Sequence, residues 1–202
     1  YSKLLPALDT PVSWPNSGFM SSEHVIYAFQ TVNNRLQYQL SSSNKPISRQ
    51  TLPGKIRNRY LQLPKNYNPQ SKTFISDFRR QHPKDTSLVN NLLQYIRNNK
   101  FIYTLQPPKL GKHSVDEFMF KTRRGFCEHY ANAFVVMMRM AKIPARVVTG
   151  YQGGIYNKLG DYFIVRQSDA HAWAEVWIDN QGWRRIDPTA AVSPDRIERG
   201  IE

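Results

Sequence analysis

The sequence predicts an α+β fold in which a cysteine-bearing helix packs on an antiparallel sheet, preceded by a small β module. Two patterns predict the core: apolar residues recur at helical spacing over residues 127–138, and strand-like segments follow between 145 and 187. A third pattern, alternation with period two among the early residues, predicts the module. We therefore expect an N-terminal β-rich module or extension over 1–64 and the core over 65–202.

The first 64 residues combine strand-like alternation with frequent turn-forming clusters. Alternation is clearest over residues 25–29 and 36–40, where we expect strands. Turn-forming residues at 14–18, 41–44 and 52–54 separate these segments. A small antiparallel module is the simplest arrangement, and its sequence does not predict a function.

After residue 64 the apolar spacing changes to that of helices. A core-facing helix is predicted over 86–99 by the spacing of Leu88, Leu92, Tyr95 and Ile96. Ser114, followed three residues later by Glu117, resembles a capping box and predicts the start of a second, short helix.

The cysteine-bearing helix begins near Cys127, and Pro144 prevents its continuation. The segments beyond it carry the β-branched and aromatic residues typical of strands. A tight turn is expected at residues 179–182 between the last two. The predicted strands are 145–151, 161–167, 171–178 and 183–187.

Composition limits the class of protein. With 40% hydrophobic and 21% charged residues, the chain should form a packed core. No run approaches the roughly 18 to 20 apolar residues of a membrane-spanning helix. The chain opens on Tyr1 without an initiator Met, so we expect it to be a piece of a longer, processed protein.

The formal charge of +13 favours anionic partners such as lipid headgroups, acidic proteins or nucleic acid. The basic residues are nevertheless spread along the chain, without a zinc-finger or RNA-binding signature, so we expect no nucleic-acid partner. The single cysteine excludes an internal disulfide and a multi-thiolate metal site. Acidic residues are sparse and scattered, so no calcium site and no cofactor are expected.

Cys127, His171 and Asp187 are the candidate catalytic residues. A helix N-terminus favours a thiolate through its backbone N–H groups and dipole, so Cys127 is a candidate nucleophile. His171 begins a predicted strand and could serve as its base, and Asp187 ends the neighbouring strand, where it could orient the imidazole. Each has an ordinary structural alternative: a buried inert thiol, a core histidine and a turn carboxylate.

The residues around these three positions resemble a known family. The run GFCEHYA, then IPARVVTGYQGG, DAHAWAEVW and DPTAA, closely resembles the transglutaminase-like core, in particular the extracytoplasmic domain of bacterial inner-membrane members. The resemblance is clear from about residue 88 onward and faint before residue 65.

That resemblance implies a papain-like, transglutaminase-like core in which Cys127 is the nucleophile, His171 the base and Asp187 the orienting acid. It also implies a periplasmic location in Gram-negative bacteria, in a parent protein anchored to the inner membrane. The implied reaction is acyl transfer from a glutamine amide of a protein or peptide to a primary amine or to water.

Five further residues could line or support the cleft. Glu128 and His129 follow the cysteine, Trp173 and Glu175 share a strand face with His171, and Tyr151 precedes a glycine-containing turn. Each has a structural alternative in helix capping, core packing or turn formation.

Two alternative functions stay open at the sequence level. A cysteine protease or amidase acting on a cell-envelope peptide or protein would use the same thioester chemistry with water as the acceptor. A non-catalytic envelope scaffold would use the basic surface and leave the three residues idle.

Overall fold

The fold was obtained as a computed structural model that describes residues 2–8, 10–43 and 51–193. Residue 44 of the expected turn 41–44, and residues 194–202 of the expected core, lie outside the described residues. By proximity of the backbone, the chain divides into two units, residues 1–48 and 49–202. Among the described helices, none is long and apolar enough to cross a membrane.

The first unit is built from five short strands. They are β1 Ser2–Leu5, β2 Thr10–Pro11, β3 Gly18–Met20, β4 Ile26–Val32 and β5 Ser42–Ser43. Strands β1, β4 and β3 form an antiparallel sheet in that order, and β2 pairs with β5. One face buries Leu5, Ile26 and Ala28, because alternate residues of a strand point to the same side.

One sequence prediction for this part of the chain is wrong. Residues 36–40 form no strand, although Tyr38 and Leu40 still pack against the small core, so their apolar character reflects burial of a loop. The two units are residues 1–48 and 49–202, and the functional division expected at residue 64 stays a prediction. Tyr60 belongs to the second unit, because its carbonyl accepts a hydrogen bond from the N–H of Ala145.

The described residues of the second unit form five α-helices and seven strands. The helices are α1 Gly54–Arg59, α2 Pro69–Gln81, α3 Asp85–Asn98, α4 Ser114–Asp116, which continues as a π-helical turn over Glu117–Thr122, and α5 Cys127–Met140. The strands are β6 Ile102–Tyr103, β7 Arg124–Gly125, β8 Ala145–Tyr151, β9 Ile155–Asn157, β10 Tyr162–Ile164, β11 Ala170–Ile178 and β12 Gly182–Ile186.

Helix α5 is the centre of the core. Its apolar side chains recur every three or four residues, and Phe134, Met137 and Met138 are completely buried. This face packs on the sheet through Ala174 and Val176 of β11. Truncating a buried phenylalanine to alanine generally costs about 3–5 kcal/mol, so Phe134→Ala would destabilise the unit severely.

The sheet beside α5 has the strand order β12-β11-β8 and is antiparallel throughout. Its register places His171 opposite Gly150, and Trp177 opposite Trp183. The turn between β11 and β12 places Asn180 and Gly182 in left-handed backbone conformations, as tight hairpin turns require. The predicted α+β fold, with a cysteine-bearing helix on an antiparallel sheet, is confirmed.

Helices α2 and α4 cap one another, and the predicted capping box is wrong. The Asp116 carboxylate accepts hydrogen bonds from the N–H groups of Gln70 and Ser71 at the start of α2. The Asn68 side chain accepts from the N–H groups of residues 115 and 116. Glu117 instead accepts from the N–H of Gly111.

Helix α2 and strand β9 are among the elements that the sequence did not predict. Helix α2, over Pro69–Gln81, buries only Ser71 and Ile75 completely, so its apolar pattern is weak in sequence. Strands β9 and β10 form a hairpin in the segment where the sequence indicated a turn and one strand.

Candidate active site

Cys127 is the first residue of helix α5, as the sequence predicted. Strand β7 ends two residues before it and pairs in parallel with β6, which fixes the entry of the chain into the helix. Phe126 caps the helix in an extended conformation and accepts the first hydrogen bond, from the N–H of His129. The cysteine is 8% exposed and lies in a small cluster with Ala131 and Ala172.

His171 is the second residue of β11 and its side chain is almost fully buried. Its Nε2 lies 2.6 Å from Oδ2 of Asp187. The ring also forms a hydrogen bond with Cys127. Since Nε2 faces the carboxylate, Nδ1 is the ring nitrogen left for the thiol. The imidazole therefore joins the helix that carries the cysteine to the strand end that carries the aspartate.

Asp187 follows the end of β12 and is held at both carboxylate oxygens. Oδ1 accepts a hydrogen bond from the N–H of Thr189, 3.0 Å away, at the start of a short 3-10 helix over Pro188–Ala191. Oδ2 is then directed at His171. The carboxylate of Asp187 therefore caps the short 3-10 helix with one oxygen and forms a hydrogen bond with the imidazole through the other.

Electrostatics favour the protonated form of the imidazole. Burial lowers the pKa of His171, but the hydrogen bonds to Asp187 and Cys127, and the charges of both, outweigh burial and raise this pKa to about 9. Near neutral pH the ring is therefore mainly an imidazolium, with Asp187 and Cys127 as its hydrogen-bond partners. Such an arrangement favours a thiolate at Cys127.

His129 supports the start of helix α5. Its Nδ1 accepts a long hydrogen bond, 3.4 Å, from the N–H of Phe126. Burial lowers the pKa of His129, and the nearby charge of Glu128 opposes this effect only in part. The neutral ring can accept the bond, so His129 acts as a helix cap within the first turn, two residues after Cys127. Glu128 itself is exposed on the first turn, where an acidic side chain complements the helix dipole.

Trp173 lies on the same side of the sheet as His171, with the two rings stacked at 6.3 Å. The indole covers Gly150, where a side chain would meet the ring at 2.8 Å. The guanidinium of Arg185 also lies over the indole, 4.2 Å from the ring centroid. Arg185 also donates to the side-chain carbonyl of Gln152. Neither Gly150 nor Arg185 was predicted, because their roles depend on register across strands.

Glu175 and Tyr151 have partners away from the imidazole. Glu175 forms an ion pair with Arg146 on β8, at 2.7 Å, beside the rings of Tyr60 and Trp183. The hydroxyl of Tyr151 donates to the side chain of Gln167, and the ring is exposed at the end of β8. Glu175 therefore links strands β11 and β8, and Tyr151 links the end of β8 to the segment before β11.

Within the described part of the chain, no three His, Cys, Asp or Glu side chains come together as a metal-binding group. The chemistry available at the site is that of a thiol, an imidazole and a carboxylate, at the positive end of a helix.

The family model of the Transglutaminase-like superfamily matches residues 72–188, more than half of the chain, and this range contains Cys127, His171 and Asp187. The chain belongs to the transglutaminase-like superfamily. Among its relatives, a protein-glutamine gamma-glutamyltransferase of Pseudomonas aeruginosa is 43% identical over 196 residues. The uncharacterized protein YebA of Bacillus subtilis is 36% identical over 138 residues.

Solved structures from the same superfamily share the fold. Two crystal structures of the periplasmic domain of TgpA from Pseudomonas aeruginosa, one bound to ethylmercury, match with TM-scores of 0.94 and 0.95 at 42% identity. The matches cover 98% of this chain and 71% and 69% of those chains.

Against the curated relatives the chain is short. The match with the Pseudomonas protein covers 97% of this chain and 29% of that protein. The match with the Bacillus protein covers 65% of this chain and 19% of that protein. The chain thus spans less than a third of the length of these relatives.

Proposed function

We propose that this chain is a thiol acyltransferase that forms a thioester from a glutamine side-chain amide of a protein or peptide and passes the acyl group to a primary amine. Cys127 is the nucleophile, His171 the general acid and base, and Asp187 the residue that orients the imidazole. The name of the Pseudomonas relative, a protein-glutamine gamma-glutamyltransferase, supports this reaction.

One observation carries the proposal: the His171 ring forms hydrogen bonds with Asp187 and with Cys127, and Cys127 is the first residue of helix α5. A nucleophile, a base and an orienting group within hydrogen-bonding reach form the arrangement used in nucleophilic acyl transfer. The residue order along the chain, Cys, His, Asp, is the order that the sequence resemblance implied.

In the acylation step, the Cys127 thiolate attacks the amide carbonyl carbon of the donor. The oxyanion that develops lies near the first-turn N–H groups of α5, where the helix dipole is positive. The high pKa of His171 means that a proton is already on the ring, and the ring transfers this proton to the departing nitrogen. Ammonia leaves, and a thioester with Cys127 remains.

In the second step a primary amine attacks the thioester carbonyl. The now neutral His171 accepts the amine proton, the C–S bond breaks, and the thiolate of Cys127 is regenerated beside an imidazolium. Water can replace the amine, in which case the glutamine becomes glutamate. Transferase and hydrolase thus share the intermediate and differ only in the acceptor.

We further propose that the domain acts in the periplasm as part of a longer protein anchored to the membrane. Its similarity to the periplasmic domain of TgpA and the short span of this chain against its relatives support that setting.

Amine incorporation and thioester trapping test the proposal. The chain is incubated with β-casein and dansylcadaverine, and transfer is measured as dansyl fluorescence bound to casein. Cys127→Ala and His171→Ala should abolish transfer, and hydroxylamine should release a donor acyl group trapped on the wild-type chain. Ammonia release without amine incorporation would make the chain a hydrolase. Neither product, with unmodified Cys127 by intact mass, would refute the assignment.

A further inference from the structure

Exposed apolar side chains are concentrated in one hairpin of the second unit, which we call the apolar ribbon and define as residues 155–164. Strands β9 and β10 form it as an isolated antiparallel pair. Its large side chains are all exposed, and Leu159 at the turn is completely so. The six are Ile155, Tyr156, Leu159, Tyr162, Phe163 and Ile164. Clusters of exposed apolar side chains of this kind are typical of binding surfaces.

Within the described part of the second unit, neither face of the ribbon is covered. Ile155 and Ile164 lie opposite each other on one face, and Tyr156 and Phe163 lie opposite each other on the other, with ring centroids 5.1 Å apart. Since all four are exposed, the ribbon is apolar on both sides. Among the described strands, β9 and β10 pair only with each other, so each has one free edge.

The tip of the ribbon is ordered by its own polar groups. Asn157 Oδ1 accepts from the N–H groups of Leu159 and Gly160, and its side-chain NH₂ donates to the Tyr162 hydroxyl. The Tyr156 hydroxyl donates to Asp161. With these polar groups occupied, the aromatic ring faces remain as the exposed binding surface, and the turn is already formed before any partner binds.

Both ends of the ribbon are fixed beside the candidate active site. The last pair of β8 with β11 joins Tyr151 to Ala170, directly next to the pair of Gly150 with His171. Ile155 is five positions after Gly150, and at about 3.6 Å per position the near end of the ribbon lies at most about 18 Å from Gly150, the strand partner of His171. A segment that binds at this end of the ribbon therefore lies about five or six extended residues from the strand position of His171.

The distribution of charge and apolar residues favours a polypeptide over a lipid bilayer. One basic and one acidic residue of the ribbon cancel, Lys158 and Asp161, and Arg166 and Asp169 just beyond it cancel as well. Anionic lipid would therefore gain no local attraction. Of the six exposed apolar side chains only Leu159 lies at the turn, and the other five follow the two strands.

We infer that the apolar ribbon is a docking arm for the acyl-donor polypeptide: it binds an extended segment with aromatic or branched aliphatic residues within about six positions of the reactive glutamine. Strand addition at a free edge supplies main-chain hydrogen bonds, and the two faces select apolar side chains. The identity of the bound segment as the donor rests on the proposed acyl transfer.

Fluorescent peptides of about 12 residues test the inference, because this length spans the distance from the cleft to the ribbon. All carry one glutamine in a Gly-Ser background. One has an apolar cluster about five residues before the glutamine, one has it after, and one has none. Binding is measured by anisotropy in the Cys127→Ala background, so that it does not depend on catalysis.

We expect one apolar peptide to bind at least about tenfold more tightly than the polar peptide. Phe163→Ser with Ile164→Ser should remove this preference. The matched control, Leu8→Ser with Phe29→Ser, replaces exposed apolar residues of the first unit and should retain it. With Cys127 present, the ratio of kcat/KM for the apolar and polar peptides should fall with the ribbon variant, while the rate of Cys127 alkylation by iodoacetamide stays that of wild type.

An equal affinity for all peptides, or a preference that survives the ribbon substitutions, overturns the inference. Binding of wild type to phosphatidylglycerol vesicles that the ribbon variant loses would assign the ribbon to a membrane. A dimer by light scattering that the same variant dissociates would assign it to a second copy. If the apolar peptide binds more tightly but no amine is transferred, the proposed function is refuted and the docking site stands. If amine is transferred but no peptide is preferred, the proposed function stands and the docking site is refuted.

Discussion

Replacing Asp187 with asparagine keeps the shape of the side chain and removes its charge. The rise in the pKa of His171 from 6.5 to about 9 corresponds to about 3 kcal/mol in favour of the imidazolium. Since burial acts in the opposite direction, the hydrogen bonds and charges of Asp187 and Cys127 together contribute more than this amount. The hydrogen bond to Asp187 makes the largest of these favourable contributions to the pKa of His171.

We therefore expect Asp187→Asn to lower the pKa of His171 by roughly one to two pH units. Iodoacetamide alkylation of Cys127 should differ from wild type mainly between about pH 7 and 9, where wild type keeps the imidazolium beside the thiolate and the variant has lost it. Amine transfer should slow on the order of a hundredfold or more. The alkylation rate is measured from about pH 4 to 9 by intact mass, which is unambiguous with one cysteine.

The pKa of His171 itself is read from the NMR titration of its ring Cε1–H signal, assigned with His171→Ala. Asp77→Asn is the matched control, because Asp77 is an exposed carboxylate on helix α2, paired with Arg80. A folded Asp187→Asn protein whose imidazole titration and alkylation profile equal those of wild type would refute the reasoning. The imidazole would then owe its properties to other groups.

Three further predictions concern stability and cofactors. Because the pKa of His171 is raised in the folded state, the protonated ring stabilises the fold fully below about pH 6.5, and this stabilisation is lost as pH rises toward 9. The free energy of unfolding in urea should show this decline for wild type and not for His171→Ala. Asp116→Ala leaves two N–H groups at the start of helix α2 without their acceptor, so the free energy of unfolding should fall by about 2–4 kcal/mol, whereas Asp77→Ala should change it by less than about 0.5. EDTA should leave amine transfer unchanged, as expected for a thiol site without a metal; loss of transfer that calcium restores would contradict this.

The elements nearest the candidate site were predictable because their signals are local. The apolar stripe of helix α5, the stop at Pro144 and the hairpin turn at 179–182 depend on residues a few positions apart. Helix α2 was missed because it buries only two residues, Ser71 and Ile75, so it has no clear apolar stripe in the sequence. The loop at 36–40 was mistaken for a strand because burial of alternate residues does not require a ladder of hydrogen bonds.

By itself, the sequence determined the α+β class, the position of Cys127 at a helix start, and the candidate set of Cys127, His171 and Asp187. It could not choose between the structural and chemical alternatives for each of these residues, because each alternative depends on what lies next to the side chain. The tertiary structure decided that Asp187 both caps a turn and faces His171, and that Glu175 pairs with Arg146. Register across the sheet brings together residues far apart in the chain, and no local pattern encodes those distances.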